Sequence, residues 1–366
     1  MSIAAQQITS TFTQDGTLTV QISSLDMPDP VGTQIVIQVE AAPVNPTDMN
    51  LLFGPSDLSD AVFSDGKISV PQKPAVQQAM VSRMGKAIPV GSECAGTVIA
   101  AGGEAQDLLG KKVSVVPGGA FATHVLTDAR MAIVWPDDVN IANASAAFIN
   151  PMTALGFIET ARSEGHNAIV HTVGASNLGQ MLLRLCRADG IDLVNMVRKP
   201  DQKKLLLDLG ASHVIDTSDK DFFDQLVAGI DSTGAMIGFD PIGGGSTINT
   251  LFQAMETVAA KGMEYSRYGS AIDKTIYVYG ALDISPRIMT LSYGFAWSLS
   301  GWLVMNFLAK AAPEVRQRMQ ARVAAELDTT FASHFKQQIS LADMLREDIA
   351  RAYNAKVTGE KYLLIP

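Results

Sequence analysis

The run Ala168-Ile169-Val170-His171-Thr172 passes through Val173 into Gly174-Ala175-Ser176-Asn177-Leu178-Gly179 and then into a helical stretch. A short apolar run that meets glycines reads as a strand ending in a tight turn. Placed between a strand and a helix, the G-x-S-x-x-G spacing is a variant of the G-x-G-x-x-G turn that cradles a dinucleotide pyrophosphate. Gly174 permits the turn, Gly179 lets the helix pack closely on the strand, and the free amides at the helix start can bind a pyrophosphate, with Ala175, Ser176, Asn177 and Leu178 as the candidate contacts. Ser176 occupies the middle position and adds a hydroxyl where the fingerprint has none.

Working outward, strands and helices alternate. Strands are expected at 168–172, 192–197, 213–215, 235–239 and 275–279, with helices at 180–188, 202–209, 221–228 and 246–260 between them. A helical stretch follows at 313–327. This βαβ rhythm predicts a parallel sheet with helices on both faces. An NAD-specific site would place an acid about 20 residues beyond the glycines, at the end of the second strand. Arg198 and Lys199 stand there instead. Two cations accept a 2′-phosphate that an acid would repel, so NADPH is the expected cofactor.

Before residue 141 the grammar differs. Short runs at 34–39, 96–100, 112–116 and 121–125, broken by Gly and Pro, predict a compact all-β unit such as a partly open barrel. Residues 55–89 read as a long polar insertion, disordered or acting as a lid. The closing run 361–365 reads as a strand without a neighbour in sequence, able to return to the first domain.

Composition narrows the function classes. The 366 residues carry 28 Lys+Arg against 37 Asp+Glu, a net −9, with 47% hydrophobic and 18% charged residues. That is too apolar for disorder and lacks the basic face nucleic acid requires. Two cysteines, Cys94 and Cys186, cannot form a disulfide framework or a four-cysteine zinc site. The first twelve residues lack a secretory signal, which makes a cytoplasmic protein the expectation. The uncharged run 288–309 is long enough to span a bilayer, but its serines and glycines favour a buried helix at a domain or subunit contact, and no membrane span is expected.

In the order and content of its motifs the chain resembles the medium-chain dehydrogenase/reductase superfamily, in particular its zinc-independent quinone oxidoreductase branch. The matching pieces begin with Val44-Asn45-Pro46-Thr47-Asp48, Gly91-Ser92-Glu93-Cys94-Ala95-Gly96 and Gly119-Ala120-Phe121-Ala122. They continue with Asn150-Pro151-Met152-Thr153-Ala154, the glycine turn, Phe239-Asp240-Pro241-Ile242-Gly243 and Gly359-Glu360-Lys361. The resemblance implies a GroES-like domain built from residues 1–145 and 331–366, a Rossmann domain over 146–330, and a catalytic cleft between them. It implies cofactor contacts from Asn150, Thr153, Asp240, Ile242, Gly280, Ala281 and Lys361. It also implies a homodimer joined through the Rossmann sheets.

The zinc enzymes of that superfamily hold their metal at positions that here read Asn45, Ser92 and Asn150. Two amides and a hydroxyl cannot replace thiolate and imidazole, so neither catalytic nor structural zinc is expected. Without a Lewis acid, hydride transfer suits a quinone or enone, whose charge delocalises to a distant oxygen. Asn45 and Thr47 are the candidate catalytic donors, and Asp48 is expected to cap a short helix. The enoyl-thioester reductases, a neighbouring branch, use a tyrosine after the comparable turn; here Phe53 stands in that stretch, and the first tyrosine is Tyr265. Val197-Arg198-Lys199-Pro200-Asp201 does resemble that branch, so an enoyl thioester stays an alternative substrate. A redox sensor that binds NADPH with little turnover is the alternative from another class. The extra segment 262–273, with Tyr265, Arg267 and Tyr268, reads as a phosphate contact, a cover, or a solvated loop. His171 and His213 are expected to be structural.

Overall fold

The computed structural model describes residues 3–290, 292–359 and 361–366; Leu291 and Glu360 of the segments named above lie outside the described residues. The chain divides into two compact units, residues 1–149 with 322–366, and residues 150–321.

In the first unit the strands β1 (Ile3–Phe12), β2 (Thr17–Met27), β3 (Gln34–Pro43), β4 (Val62–Ser64), β5 (Lys67–Pro71) and β6 (Ile88–Pro89) come first. They are followed by β7 (Cys94–Ala101), β8 (Lys112–Val115), β9 (His124–Asp128) and β10 (Ile133–Trp135). One sheet has the order β4-β5-β2-β1-β6. The second runs β10-β8-β7-β3, with β9 also paired to β3. Ile8, Leu18, Val20, Ile35, Ile37, Val98, Val113 and Val115 fill the core, and the intervening Thr19, Val36 and Ser114 are buried as well, so these strand segments are covered on both faces.

The second unit holds β11 (Ala168–His171), β12 (Asp192–Val197), β13 (His213–Asp216), β14 (Ile237–Asp240), β15 (Lys274–Val278) and β16 (Trp297–Gly301). All pair in parallel, in the order β13-β12-β11-β14-β15-β16. The order reverses at β11, so ligands are expected beyond the carboxyl ends of the strands there. Every residue of β11 and β14 is buried, as a parallel strand covered on both faces requires.

The chain then returns to the first unit with β17 (Gln337–Ile339) and β18 (Tyr362–Leu364). β18 pairs in parallel with β17 and antiparallel with β3, through Leu363 opposite Pro43 and Leu364 opposite Ala42. The terminal strand thus finds its partner more than 300 residues back in the chain.

Three expectations are corrected. Residues 55–89 are ordered: β4 and β5 form a hairpin whose β5 pairs with β2, and Ile68 and Val70 enter the core while Lys67, Ser69 and Pro71 do not. Residues 288–309 are not one buried helix. They supply the edge strand β16 and the first residues of a helix, Val304–Lys310, with Phe295 70% exposed and Trp297 38%. An edge strand needs ladder partners on one side only, so an uncharged sequence there is compatible with exposure. Third, the strand expected at 121–125 lies later, at His124–Asp128, because Phe121 and Thr123 spend their backbone groups on Ile8, Val39 and Gln6.

Among the described residues no helix is long and apolar enough to cross a membrane.

Candidate functional site

The residues singled out from sequence fall into two groups, one in each unit. In the second unit, the glycine turn follows β11 as expected. A Cβ on Gly179 would lie 2.2 Å from the Gly174 carbonyl oxygen, and one on Gly174 would lie 2.8 Å from Asn195 Cβ. Neither position can carry a side chain without displacing backbone or core. Ser176 is the N-cap of the helix Asn177–Asp189: its Oγ accepts from Gly179 N–H at 3.0 Å and donates to the Val173 carbonyl at 2.9 Å. The hydroxyl that breaks the fingerprint therefore starts the helix. The helix begins three residues earlier than its apolar periodicity suggests. Ala175 and Leu178 are buried, and Asn177 is half-buried.

Arg198 and Lys199 follow β12 and are exposed, and neither forms an ion pair among the described residues. Arg198 N–H donates to Gln202 Oε1, and Lys199 precedes the helix Pro200–Asp208. At the end of β14, buried Asp240 accepts from Thr172 Oγ at 2.5 Å and from Gly243 N–H at 2.8 Å. Those bonds tie the ends of β11 and β14 together, while burial holds the Asp240 carboxyl above the usual range. Beyond β15, Gly280 lies against Pro241, where a Cβ would meet the carbonyl oxygen at 2.8 Å. Ile242 is half-buried and Ala281 exposed on the same rim. Asn150 and Thr153 sit at the start of the helix Ile149–Ser163, half-buried and buried respectively.

Directly below this rim is an aromatic cluster that the sequence reading left unassigned. Phe157 stacks on Phe239 at 4.0 Å between centroids, with Tyr279 and Trp302 each at 4.8 Å. His171 Nε2 lies 2.6 Å from the Tyr279 hydroxyl, and burial pushes its pKa down to about 3, so the ring is neutral. His171 Nδ1 is buried without a hydrogen-bond partner. The segment 262–273 is pinned by a buried ion pair. Lys274 Nζ donates to Glu256 Oε2 at 2.7 Å, and Ser270 binds both Glu256 oxygens. Tyr265 is 94% exposed, and Arg267 covers the ring of Tyr268.

In the first unit a charged cluster is buried around Asn45. Its Nδ2 donates to Glu93 Oε1 at 3.0 Å, and Glu93 Oε2 accepts from Phe148 and Ile149 N–H at 3.0 and 2.8 Å. Asn45 is 2% exposed and its Oδ1 has no partner. Thr47 is exposed and precedes the helix Asp48–Leu52. Asp48 does not cap that helix, which corrects the expectation. Its carboxylate turns back to accept from Asn45 N–H at 2.8 Å and from Ser92 Oγ at 2.5 Å. Burial raises its pKa to about 7, against the lowering effect of those bonds. The Lys361 ammonium is buried in this unit without a hydrogen-bond partner, and it interacts electrostatically with Glu93 and Asp48. Burial drives its pKa down, and the two carboxylates oppose that. Glu93 and Asp48 are thus counter-charges of Lys361 within this unit. Among the described residues no three His, Cys, Asp or Glu side chains group as a metal site.

The fold is that of solved NADPH:quinone and enoyl thioester reductases. A Mesorhizobium loti protein assigned as an NADPH:quinone reductase superposes with a TM-score of 0.76 at 21% identity, covering all of both chains. The Escherichia coli quinone oxidoreductase complexed with NADPH gives 0.69 at 16% identity, covering 99% of this chain and 100% of the other. A mutant enoyl thioester reductase from Candida tropicalis gives 0.68 at 17% identity, with both chains covered fully.

By sequence the chain is 27% identical to the mitochondrial enoyl-[acyl-carrier-protein] reductase of Bos taurus over 207 residues, 54% of this chain and 48% of that protein. It is also 26% identical to a phthioceranic/hydroxyphthioceranic acid synthase of Mycobacterium tuberculosis over 211 residues, 57% of this chain and 9% of that one. The match thus spans about half the length of the first of these and a small part of the second. No protein-family model matches the chain.

Proposed function

We propose that this chain is an NADPH-dependent reductase of conjugated carbonyl compounds, acting on quinones or enones by direct hydride transfer. The single observation that carries the cofactor reading is the glycine turn closed by Ser176, with the unpaired cations Arg198 and Lys199 at the neighbouring strand end. The donor set fits: helix-start amides for a pyrophosphate and two free cations for a 2′-phosphate. Asn150, Thr153, Gly174, Ala175, Asn177, Leu178, Asp240, Ile242, Gly280 and Ala281 are the further proposed cofactor residues of this unit, and Lys361 of the first unit is proposed with them. When bound, NADPH supplies the hydride; this chain's residues bind, orient and deliver protons. Solved proteins of the same fold carry NADPH and quinone reductase designations, which supports the reading.

Asn45 and Thr47 are the proposed polar groups for the acceptor carbonyl. Asn45 is held rigidly because Nδ2 gives one hydrogen to Glu93; the donors left for a carbonyl oxygen are its second Nδ2 hydrogen and the Thr47 hydroxyl, since Oδ1 only accepts. The two proposed domains remain 1–145 with 331–366 and 146–330, and the compact units place the junctions at 149/150 and 321/322. A second reading, reduction of enoyl thioesters, is favoured by the enoyl reductase relatives. A cytoplasmic homodimer is part of the proposal, and the exposed β16 edge supplies unpaired ladder groups for a second copy.

Steady-state oxidation of NADPH with a panel of quinones, enones and enoyl thioesters tests the activity. Turnover of a quinone or simple enone is expected. Turnover of enoyl thioesters alone would select the second reading, and NADPH binding without any turnover would select a sensor.

A further inference from the structure

Hydride addition to an enone leaves an enolate that must take up one proton, and no group assigned so far provides it. We propose that Ser92 and Asp48 form the proton supply for this reduction: Ser92 Oγ–H protonates the reduced substrate and is reprotonated by the Asp48 carboxyl. The proposal rests on the activity proposed above.

The two groups are already in contact, with Ser92 Oγ 2.5 Å from Asp48 Oδ1. Asp48 is completely buried, whereas Ser92 is half-buried, so the hydroxyl connects the carboxyl to the surface of this unit. The bond has a polarity that protonation reverses. When Asp48 is ionised, Ser92 spends its only proton on the carboxylate and has none to offer. When Asp48 is protonated, the carboxyl can donate to Oγ, and the serine O–H is free to turn outward.

Every charged group that faces the pair sets this balance. Glu93, next to Ser92 in sequence, raises the Asp48 pKa, and Lys361 lowers it. The buried Cys94 thiol is pushed far up and stays neutral. The net position, about 7, makes both states accessible near neutrality.

The atoms balance. The hydride forms a C–H bond at the β-carbon, and the alkene π pair becomes the enolate. The enolate takes the Ser92 proton, Oγ takes the Asp48 proton, and water restores the carboxyl. The sum is NADPH, one proton and enone giving NADP+ and saturated ketone.

The test compares the parent with S92A, S92T and D48N on two acceptors, a simple enone and a quinone with an acidic hydroquinone that can leave as its anion. S92A is expected to lower kcat on the enone by about 100-fold, the scale of general acid catalysis. NADPH affinity, read by cofactor fluorescence, should change little, the enone rate should fall more than the quinone rate, and S92T should restore the enone rate. The kcat of the parent on the enone should fall as pH rises through about 7, and D48N should lose that limb. As a readout independent of turnover, infrared titration should show a protonated carboxyl band that disappears near the same pH and is missing in D48N. Parent-like enone turnover by S92A, or no such band, would overturn the proposal. A parent that binds NADPH but reduces neither acceptor would overturn the activity reading, and this proposal with it.

Discussion

Lys274, with no exposed side-chain surface, holds Glu256 at 2.7 Å and joins β15 to the helix Thr247–Ala259. The same lysine donates to Ser270 Oγ and the Ile272 carbonyl, so one buried ammonium anchors the segment 262–273. Removing one partner of such a pair leaves an uncompensated buried charge and costs roughly 3–5 kcal/mol. Lys274→Met should therefore destabilise the second unit by that order, whereas the double change Lys274→Met with Glu256→Leu should cost less than either single change. Chemical denaturation of the four proteins measures this, and strict additivity would contradict it.

The Ser176 cap gives a smaller, graded effect. Ser176→Ala removes the acceptor for Gly179 N–H and should cost about 1 kcal/mol, while Ser176→Gly should cost a few tenths. Urea unfolding followed by helical circular dichroism resolves the ranking. Equal losses in the two variants would argue that the hydroxyl serves something other than the helix start.

Asp48 sets a pH dependence with a definite sign. Its folded pKa, about 7, lies above the ordinary aspartate value. Its contribution to stability is fully present below the unfolded pKa and is lost as pH rises through about 7. Asp48→Asn should consequently gain on the parent between pH 4 and 8, by roughly 1–4 kcal/mol at the upper end. Melting temperatures across that range should show a smaller alkaline decline in the variant; parallel curves would contradict the assignment.

How far the sequence shows these features depends on how locally each is encoded. β11, β12 and β14 are readable because a parallel strand buried on both faces is a largely apolar run; β12 has the expected bounds and those of β11 and β14 differ by at most two residues. β4 and β5 were not, since strands of three and five residues paired with distant β2 carry little periodicity. In 288–309 the absence of charge suggested burial, yet Trp297-Ser298-Leu299-Ser300-Gly301 has the alternation of an edge strand. At the site, the glycine turn and the Arg198-Lys199 pair are contiguous motifs and were found. The Asp48, Ser92, Glu93 and Lys361 cluster joins three separate stretches of the chain. Glu93 stood inside a motif already noted, but nothing local marks it as the group that orients Asn45.

Arg198 tests the cofactor choice. Arg198→Asp replaces a cation with a charge that repels a 2′-phosphate, and should weaken NADPH at least tenfold more than NADH, about 1.4 kcal/mol of discrimination. Fluorescence titration with both nucleotides measures it. Equal weakening would place the 2′-phosphate elsewhere.

Direct hydride transfer from bound NADPH to a conjugated carbon is the central claim, and isotope transfer addresses it most directly. The parent protein is incubated with a simple enone and NADPH carrying deuterium at either face of nicotinamide C4, and the product is read by mass spectrometry and NMR. One of the two labelled cofactors should deliver a single deuterium to the β-carbon, with solvent providing the hydrogen at the α-carbon. Product labelled from solvent at the β-carbon, or no product from enones and quinones alike, would contradict the account.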